Sequence, residues 1–257
     1  MLKTLKNYYS GTSGLMLPVP NKSHYPEAYQ DKSRLNYYAS LSNSIEINSS
    51  FYKIPRAVTL QKWASEVPDD FAFTFKLFKG ITHNANLSFS HNELELFLEN
   101  INAVGAKKAC LLIQLPPSIT INRLPAIAHL LSTIKSSEQS LGWELALECR
   151  HASLYDDGLK ELLEDLKVTM VVHDRTGLNT PLDWDTSPAA YLRFHGPQGN
   201  YRDSYTEDFL TEYASYINEW LGEGKKVYVY FNNTMGNAHG NMTTLMRMVE
   251  EAAVTGL

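Results

Sequence analysis

The sequence predicts an α/β fold, a single TIM-type (β/α)8 barrel, from three observations. Eight short runs have the apolar pattern of β-strands, helical patterns lie between most of them, and 257 residues is the length that such a barrel needs. Strands that alternate with helices along a chain are typical of parallel βαβ units, and eight units suggest closure. We therefore expect one barrel domain over residues 1–257, with a doubly wound open sheet as the alternative.

The predicted strands are residues 8–12, 44–47, 72–77, 109–115, 144–149, 169–172, 190–194 and 226–231. Alternation is strict from Tyr191 to His195, where Leu192 and Phe194 share one face while Tyr191, Arg193 and His195 share the other. If helices cover the apolar faces, the charged side chains of several strands converge on an interior. Charge is costly there unless it is paired or functional.

The predicted helices are residues 33–38, 58–67, 92–104, 124–134, 159–166, 209–221 and 245–254, with apolar residues three and four apart. Residues 174–189 lack a clear helix because Pro181, Trp184 and Pro188 interrupt the pattern. The open-sheet alternative would normally show a Gly-rich phosphate turn after its first strand. The short stretch Gly11-Thr12-Ser13-Gly14 lacks that fingerprint.

Composition narrows the function classes. The formal charge is -5 and the sequence pI is about 5.9, which disfavours a general polyanion-binding surface but leaves room for a local basic pocket. Cys110 and Cys149 lie in apolar runs, so we expect buried, reduced thiols. Residues 1–6 lack an apolar core of signal-peptide length and no run approaches 18 apolar residues, which predicts a cytoplasmic protein without membrane contact.

Polar residues occupy the carboxyl end of every predicted strand, which is where α/β barrels carry their catalytic and ligand-binding residues. Positive charges at Lys76, Arg150 and Arg193 equal in number the negative charges at Glu46, Glu148 and Asp174. One interpretation is a self-neutralising ion-pair network that merely fills the barrel mouth. A ligand explains the concentration of charge more easily, because buried ion pairs only break even against hydrophobic packing.

We therefore expect a small anionic polar ligand, phosphorylated or sugar-like, at this end of the barrel. An enzyme is favoured, with hydrolysis as one conceivable reaction, and neither a metal nor another cofactor is expected. The candidate catalytic residues are Glu46 and Glu148 as general base and acid, His195 as an alternative proton carrier, and Asp174. The candidate ligand-binding residues are Lys76, His83, Arg150, Arg193, Asn48, Asn232 and Tyr201, the last with Tyr205 as a lid.

Seven motifs occur in a characteristic order from about residue 8 to residue 241. They are Gly11-Thr12-Ser13-Gly14, Glu46-Ile47-Asn48-Ser49-Ser50-Phe51-Tyr52, Ile81-Thr82-His83, Gln114-Leu115-Pro116-Pro117-Ser118, Glu148-Cys149-Arg150-His151, Leu192-Arg193-Phe194-His195-Gly196 and Tyr228-Val229-Tyr230-Phe231-Asn232-Asn233. Together they resemble the YecE-like family, domain of unknown function 72. The resemblance implies a TIM-type barrel and supplies no established reaction.

Two other function classes compete with the anion site. A metal-dependent barrel acting on phosphodiesters or sugars, similar in architecture to endonuclease IV and xylose isomerase, would draw its ligands from Glu46, Glu148, Asp174 and His195. Arginines and a lysine interleaved with these residues would compete for the carboxylates. A nucleic-acid or protein-binding module could use residues 76–79 and Tyr201-Arg202, but the acidic total disfavours it. The oligomeric state stays open.

Overall fold

The centre of the molecule is a sheet of parallel strands. The structure, a computed structural model, describes residues 5–178 and 180–255. The strands in this part of the chain are β1 (Tyr8–Thr12), β2 (Ser44–Ile47), β3 (Ala72–Lys76), β4 (Lys108–Gln114), β5 (Glu144–Glu148), β6 (Thr169–His173), β7 (Ala189–Phe194) and β8 (Lys226–Phe231). Their order is β1-β8-β7-β6-β5-β4-β3-β2, and a Ser13–Glu46 bridge brings the two ends together. The predicted TIM-type barrel is confirmed, with every strand within one residue of its expected bounds.

Helices follow most strands. They are α1 (Arg34–Tyr38), α2 (Ser49–Tyr52), α3 (Ala57–Ser65), α4 (Lys79–Thr82), α5 (His91–Ile101), α6 (Leu124–Ser136), α7 (Asp157–Leu166), α8 (Glu207–Gly222) and α9 (Ala238–Thr255). The last helix begins seven residues earlier than predicted, at Ala238 rather than at 245. Gly240 and Asn241 weaken the local propensity there, but Ala238 and Met242 are buried on the same stripe as Leu245.

The described residues between His173 and Ala189 contain no helix, as expected from their prolines. Hydrogen bonds fix this segment to the barrel instead. The Thr186 hydroxyl donates to the Val168 carbonyl (2.7 Å) and accepts from the Met170 amide (3.1 Å). An irregular segment thus takes the place of a helix on this side of the barrel.

The strand alternation separates two environments. Leu192 and Phe194 pack with apolar residues of α8 and α9, whereas Tyr191 lies in the barrel interior among other strand residues. The interior is more polar than the branched aliphatic filling typical of this fold. Tyr230, for example, is fully buried and its hydroxyl bonds to Ser44 Oγ and Thr74 Oγ1, each at 2.7 Å.

Both cysteines, Cys110 and Cys149, are buried and unpaired, as predicted. Within the described ranges, no helix combines the length and apolar character needed to cross a bilayer. The first four residues of the N-terminal run 1–6 lie outside the described part of the chain.

Side chains close the seam between β1 and β2. Asn43 Oδ1 accepts from the Ser10 amide (2.9 Å), and Asn43 Nδ2 donates to the Tyr8 carbonyl (2.7 Å). The backbones approach so closely at Gly11 that a Cβ there would lie 2.2 Å from the Ser44 carbonyl oxygen. Side-chain hydrogen bonds therefore replace a regular ladder at this one seam.

Tyr38 completes the seam. Its hydroxyl accepts from the Thr12 amide (2.8 Å) and donates to the Ser44 carbonyl (3.1 Å), and the residue is fully buried. A buried backbone amide without a partner is costly, so this hydroxyl holds the first strand in place.

Tyr38→Phe should lower the free energy of unfolding by about 1–3 kcal/mol, because it leaves the buried Thr12 amide unpaired. Urea unfolding followed by circular dichroism measures the change. Tyr37→Phe is the matched control, since Tyr37 is also buried but its hydroxyl makes no hydrogen bond within the described residues. Equal losses for the two variants would contradict the assigned role of Tyr38.

Candidate functional site

A buried ion-pair network occupies the carboxyl-terminal end of the barrel, and Arg193 is its centre. This residue, near the end of β7, is 1% exposed. Its Nη2 lies 2.9 Å from Glu46 Oε1, its Nε 3.0 Å from Glu46 Oε2, and its Nη1 2.9 Å from Glu148 Oε2. One guanidinium therefore joins carboxylates from β2 and β5 across the barrel interior.

Both carboxylates are fully buried, and both pair with arginines. Ser13 and Tyr191 donate to Glu46 through their hydroxyls, in addition to Arg193. Burial raises the pKa of Glu46, but the charge and hydrogen bonds of Arg193 outweigh burial and lower the pKa overall. Burial likewise opposes ionisation of Glu148, yet Arg193 and Arg150 hold its pKa well below the usual value. Both groups are ionised.

His195 is a neutral acceptor within this network. Its Nε2 lies 3.0 Å from Arg150 Nη2 and 3.1 Å from Arg193 Nη1. Guanidinium groups only donate, so Nε2 carries no proton and the proton belongs on Nδ1, which is 3.3 Å from Asp174 Oδ1. Burial lowers the pKa of His195 to about 4. The ring is therefore uncharged at neutral pH.

Asp174 holds the loop that follows β7. Its Oδ1 accepts from the His195 amide at 2.6 Å, and its Oδ2 accepts from the Tyr205 hydroxyl. Tyr205 is buried beside Phe194, so it lies beneath the loop rather than over the mouth as a lid. The expectation of a Tyr205 lid is therefore wrong. The Tyr205 hydroxyl is bound by the Asp174 carboxylate, and the Tyr205 ring packs in the aromatic core.

Lys76 and Arg150 converge on one neutral oxygen. Lys76 Nζ donates to Gln114 Oε1 at 2.7 Å, and Arg150 Nη2 lies 3.4 Å from the same atom. Lys76 also lies over the Phe51 ring, with Nζ 4.1 Å from the centroid, and no carboxylate of the described residues pairs with it. Burial lowers the pKa of Lys76 to about 8, and the Arg193 and Arg150 charges add to this while Glu148 and Glu46 oppose it.

Arg150 itself is only partly satisfied. Its Nη2 pairs with Glu148 and His195, but its Nε is buried without a hydrogen-bond partner in the described part of the chain. No hydrogen bond between described residues uses its Nη1. Donors of this guanidinium are therefore left over for another acceptor.

His83 lies at the rim, beside Phe51. Its ring is edge-on to Phe51 at 4.8 Å between centroids, and its Nδ1 is 2.8 Å from Thr82 Oγ1. Partial burial lowers the pKa of His83, and the charges of Lys76 and Lys79 lower it further. This histidine is thus close to Lys76 through their shared aromatic neighbour.

The three remaining candidates have different settings. The Tyr201 ring lies 5.6 Å from His195, and its hydroxyl accepts from Arg175 Nη1 at 2.9 Å. Asn232 follows β8, and its side chain makes no hydrogen bond within the described residues. Asn48 lines a separate cavity of about 770 Å³ between α1 and α3, and its Oδ1 is buried without a partner among the described residues.

Three contributors did not stand out from the sequence. Gln114 is the acceptor between two cations, and only its places at the end of β4 and in one of the seven motifs pointed to it. Tyr191 shares the parity of Arg193, which could have identified it as a neighbour of Glu46. Phe51 lies on the short helix α2, which no periodic pattern in the sequence predicted.

The sequence candidates for a metal site do not form one. Glu46 and Glu148 are occupied by guanidinium groups, and Asp174 binds an amide and a tyrosine hydroxyl. Across residues 5–178 and 180–255, no group of three or more His, Cys, Asp or Glu side chains is arranged to hold a metal ion. This donor set does not fit a divalent cation, since its oxygens already serve other partners.

Comparisons with known proteins agree with the motifs. A family model described as "Protein of unknown function DUF72" matches residues 9–256. The Bacillus subtilis "UPF0759 protein YunF" is 26% identical over an alignment of 245 residues that covers 83% of this chain and 85% of that relative. The Escherichia coli "UPF0759 protein YecE" is 25% identical over 147 residues, 57% of this chain and 52% of its own length. The chain thus spans about half the length of that relative.

Solved structures show the same fold. A DUF72 family protein from Thermotoga maritima has a TM-score of 0.74 and 25% identity, covering 95% of this chain and 99% of that one. A xylose isomerase-like TIM barrel protein from Mycobacterium smegmatis has a TM-score of 0.55 and 11% identity, covering 95% and 97% of the two chains. The second likeness concerns architecture alone.

Arg193→Met should lower the free energy of unfolding by roughly 3–5 kcal/mol, because it leaves Glu46 ionised and buried without a cation. Adding Glu46→Gln to that variant removes the uncompensated charge and should restore part of the loss. Urea unfolding of the single and double variants gives the comparison. A double variant that is less stable than Arg193→Met would contradict the assigned pairing.

Stability should fall as the pH drops from 6.5 toward 4. The folded-state pKa of His195, about 4, lies below the ordinary value of 6.5, so in this window only the unfolded chain takes up the proton. The contribution of His195 is complete above pH 6.5. His195→Gln should remove up to about 1.4 kcal/mol per pH unit of this dependence.

Urea unfolding of the parent and the variant between about pH 4.5 and 7 measures the two slopes. The matched control is His24→Gln, because His24 is exposed and its ring contacts Asn21 and Ser23 rather than residues of the network. The control should keep the parental slope. An unchanged slope in His195→Gln would mean that His195 is not the linked group.

Proposed function

The chain belongs to the DUF72 family, which is described as of unknown function, and we propose that the mouth of its barrel binds a small anionic polar molecule, phosphorylated or sugar-like, as an enzyme substrate. The anion would lie between Lys76 and Arg150.

The observation that supports the proposal is the shared acceptor. Two cationic side chains converge on Gln114 Oε1, a neutral oxygen that cannot balance their charge. The carboxylates nearest to them are already committed, Glu46 to Arg193 and Glu148 to both arginines. An anion that contacts Lys76 and Arg150 would relieve their mutual repulsion and meet donors that have no other use.

In this proposal Arg193 positions other side chains of the site and does not contact the anion. Its nitrogens are taken by Glu46, Glu148 and His195, so it is a positioning residue rather than a direct ligand of the anion. Glu46 and Glu148 fix the guanidinium groups in place. His195 accepts from both arginines, which sets the direction of the Arg150 side chain.

The polar part of the ligand would meet neutral groups around the cations. Asn232 and His83 both have side-chain atoms without hydrogen-bond partners in the described part of the chain. Tyr201, beside His195, would form the adjoining wall. A sugar-like body with several hydroxyls suits such a mixture of amide, imidazole and aromatic surface.

Isothermal titration and thermal shift at low salt should detect binding of inorganic phosphate or glucose 6-phosphate and not of glucose. Lys76→Gln should weaken binding by about 10- to 100-fold, because it removes a charge-assisted hydrogen bond worth roughly 1.5–3 kcal/mol. Raising the salt concentration should weaken binding gradually.

Lys79→Gln is the matched control, since Lys79 is an exposed lysine three residues away whose ammonium lies over the Tyr52 ring. It should bind as the parent does. Failure of both anions to bind, or equal losses in the two lysine variants, would refute the anion site. Binding of a DNA duplex without binding of either small anion would favour the nucleic-acid alternative.

A further inference from the structure

We infer that Lys76 is a nucleophilic amine that forms an imine with its ligand, so that the substrate class is a phosphorylated or carboxylated aldehyde or ketone. This inference rests on the proposed anion site and names the reactive group that the same ligand must present.

The surroundings of Lys76 set it apart from the other charged residues at the mouth. Arg193 and Arg150 both pair with carboxylates, which stabilise their charges. Lys76 has one neutral acceptor, Gln114 Oε1, and an aromatic face, Phe51, as its contacts within the described residues. A lysine that lacks a carboxylate partner is not held in its protonated form by an ion pair.

The charges that surround Lys76 act in both directions. Burial and the positive charges of Arg193 and Arg150 lower its pKa to about 8, while Glu148, Glu46 and the Phe51 ring favour the ammonium form. At neutral pH roughly a tenth of the molecules then carry the free amine. Desolvation and a neighbouring cation are the two means by which proteins activate lysine as a nucleophile.

The arrangement also orients a carbonyl compound. Arg150 has unused donors for a phosphate or carboxylate, and both its Nη2 and Lys76 Nζ lie within 3.4 Å of Gln114 Oε1. An anion held at Arg150 therefore keeps the rest of a small ligand near the amine. Binding energy from the anion would offset the entropy cost of ordering the reacting groups.

The covalent step balances without a co-reactant. The Nζ lone pair attacks the carbonyl carbon, and the π electrons move to oxygen while a proton passes from nitrogen to that oxygen. The resulting carbinolamine loses its hydroxyl together with the remaining nitrogen proton as one water molecule, which leaves a C=N bond to Lys76. His83, which shares Phe51 with Lys76, is the side chain to which we assign proton transfer with solvent.

Borohydride trapping tests the inference on the full chain. Incubation with glyceraldehyde 3-phosphate, dihydroxyacetone phosphate or pyruvate, followed by sodium borohydride, should add one reduced adduct per chain, located at Lys76 by peptide mass mapping. Glyceraldehyde, which lacks the anion, should label Lys76 at least about tenfold more slowly. Inorganic phosphate in excess should protect Lys76 from labelling.

Two variants and one binding measurement are needed to interpret the trapping experiment. Lys76→Arg keeps a cation but removes the nucleophile, so it should bind inorganic phosphate and form no adduct, whereas Lys79→Gln should be labelled as the parent is. If phosphate binds to the parent but no adduct forms at Lys76, the imine is refuted and the anion site stands. If phosphate does not bind and no adduct forms, both the anion site and the imine are refuted. Labelling spread evenly over surface lysines would also refute the imine.

Discussion

The interaction on which the rest of the site depends is the buried contact of Arg193 with two carboxylates. Removing three charges from water is costly, and only close geometry with additional hydrogen bonds offsets that cost. Ser13 and Tyr191 on Glu46, and Arg150 on Glu148, supply those further contacts. Because Arg193 and its carboxylate partners are committed to one another, Lys76 is left as a cation that no carboxylate of the described residues pairs with.

The polar interior of the barrel helps to offset the free-energy cost of burying this ion-pair network. Tyr191, Tyr228 and Tyr230 fill space that aliphatic residues normally fill, and the hydroxyls of Tyr191 and Tyr230 bond to buried polar atoms. The hydroxyl of Tyr191 reaches Glu46, and that of Tyr230 reaches β2 and β3. The aromatic layer thus couples the packing of the barrel to the ion-pair network above it.

Most of the fold could be predicted because its signals are local. Alternation within β7 assigned Arg193 and His195 to the interior, and the strand bounds followed from the same pattern. The pairing of charges could not be predicted, because it depends on distances across the barrel: Glu46 and Glu148 looked like a free acid and base, whereas both are paired with arginines. Their proposed catalytic roles stay predictions. The sequence also could not indicate that Gln114 would separate Lys76 from Arg150.

The seam between β1 and β2 has a consequence for the order in which the barrel assembles. β1 forms its regular backbone ladder with β8, while on its other side its amides bond to the side chains of Tyr38 and Asn43, which precede β2 in the chain. Loop closure over most of the chain must therefore precede that ladder. During synthesis β1 therefore finds its backbone partner only after β8 has been translated.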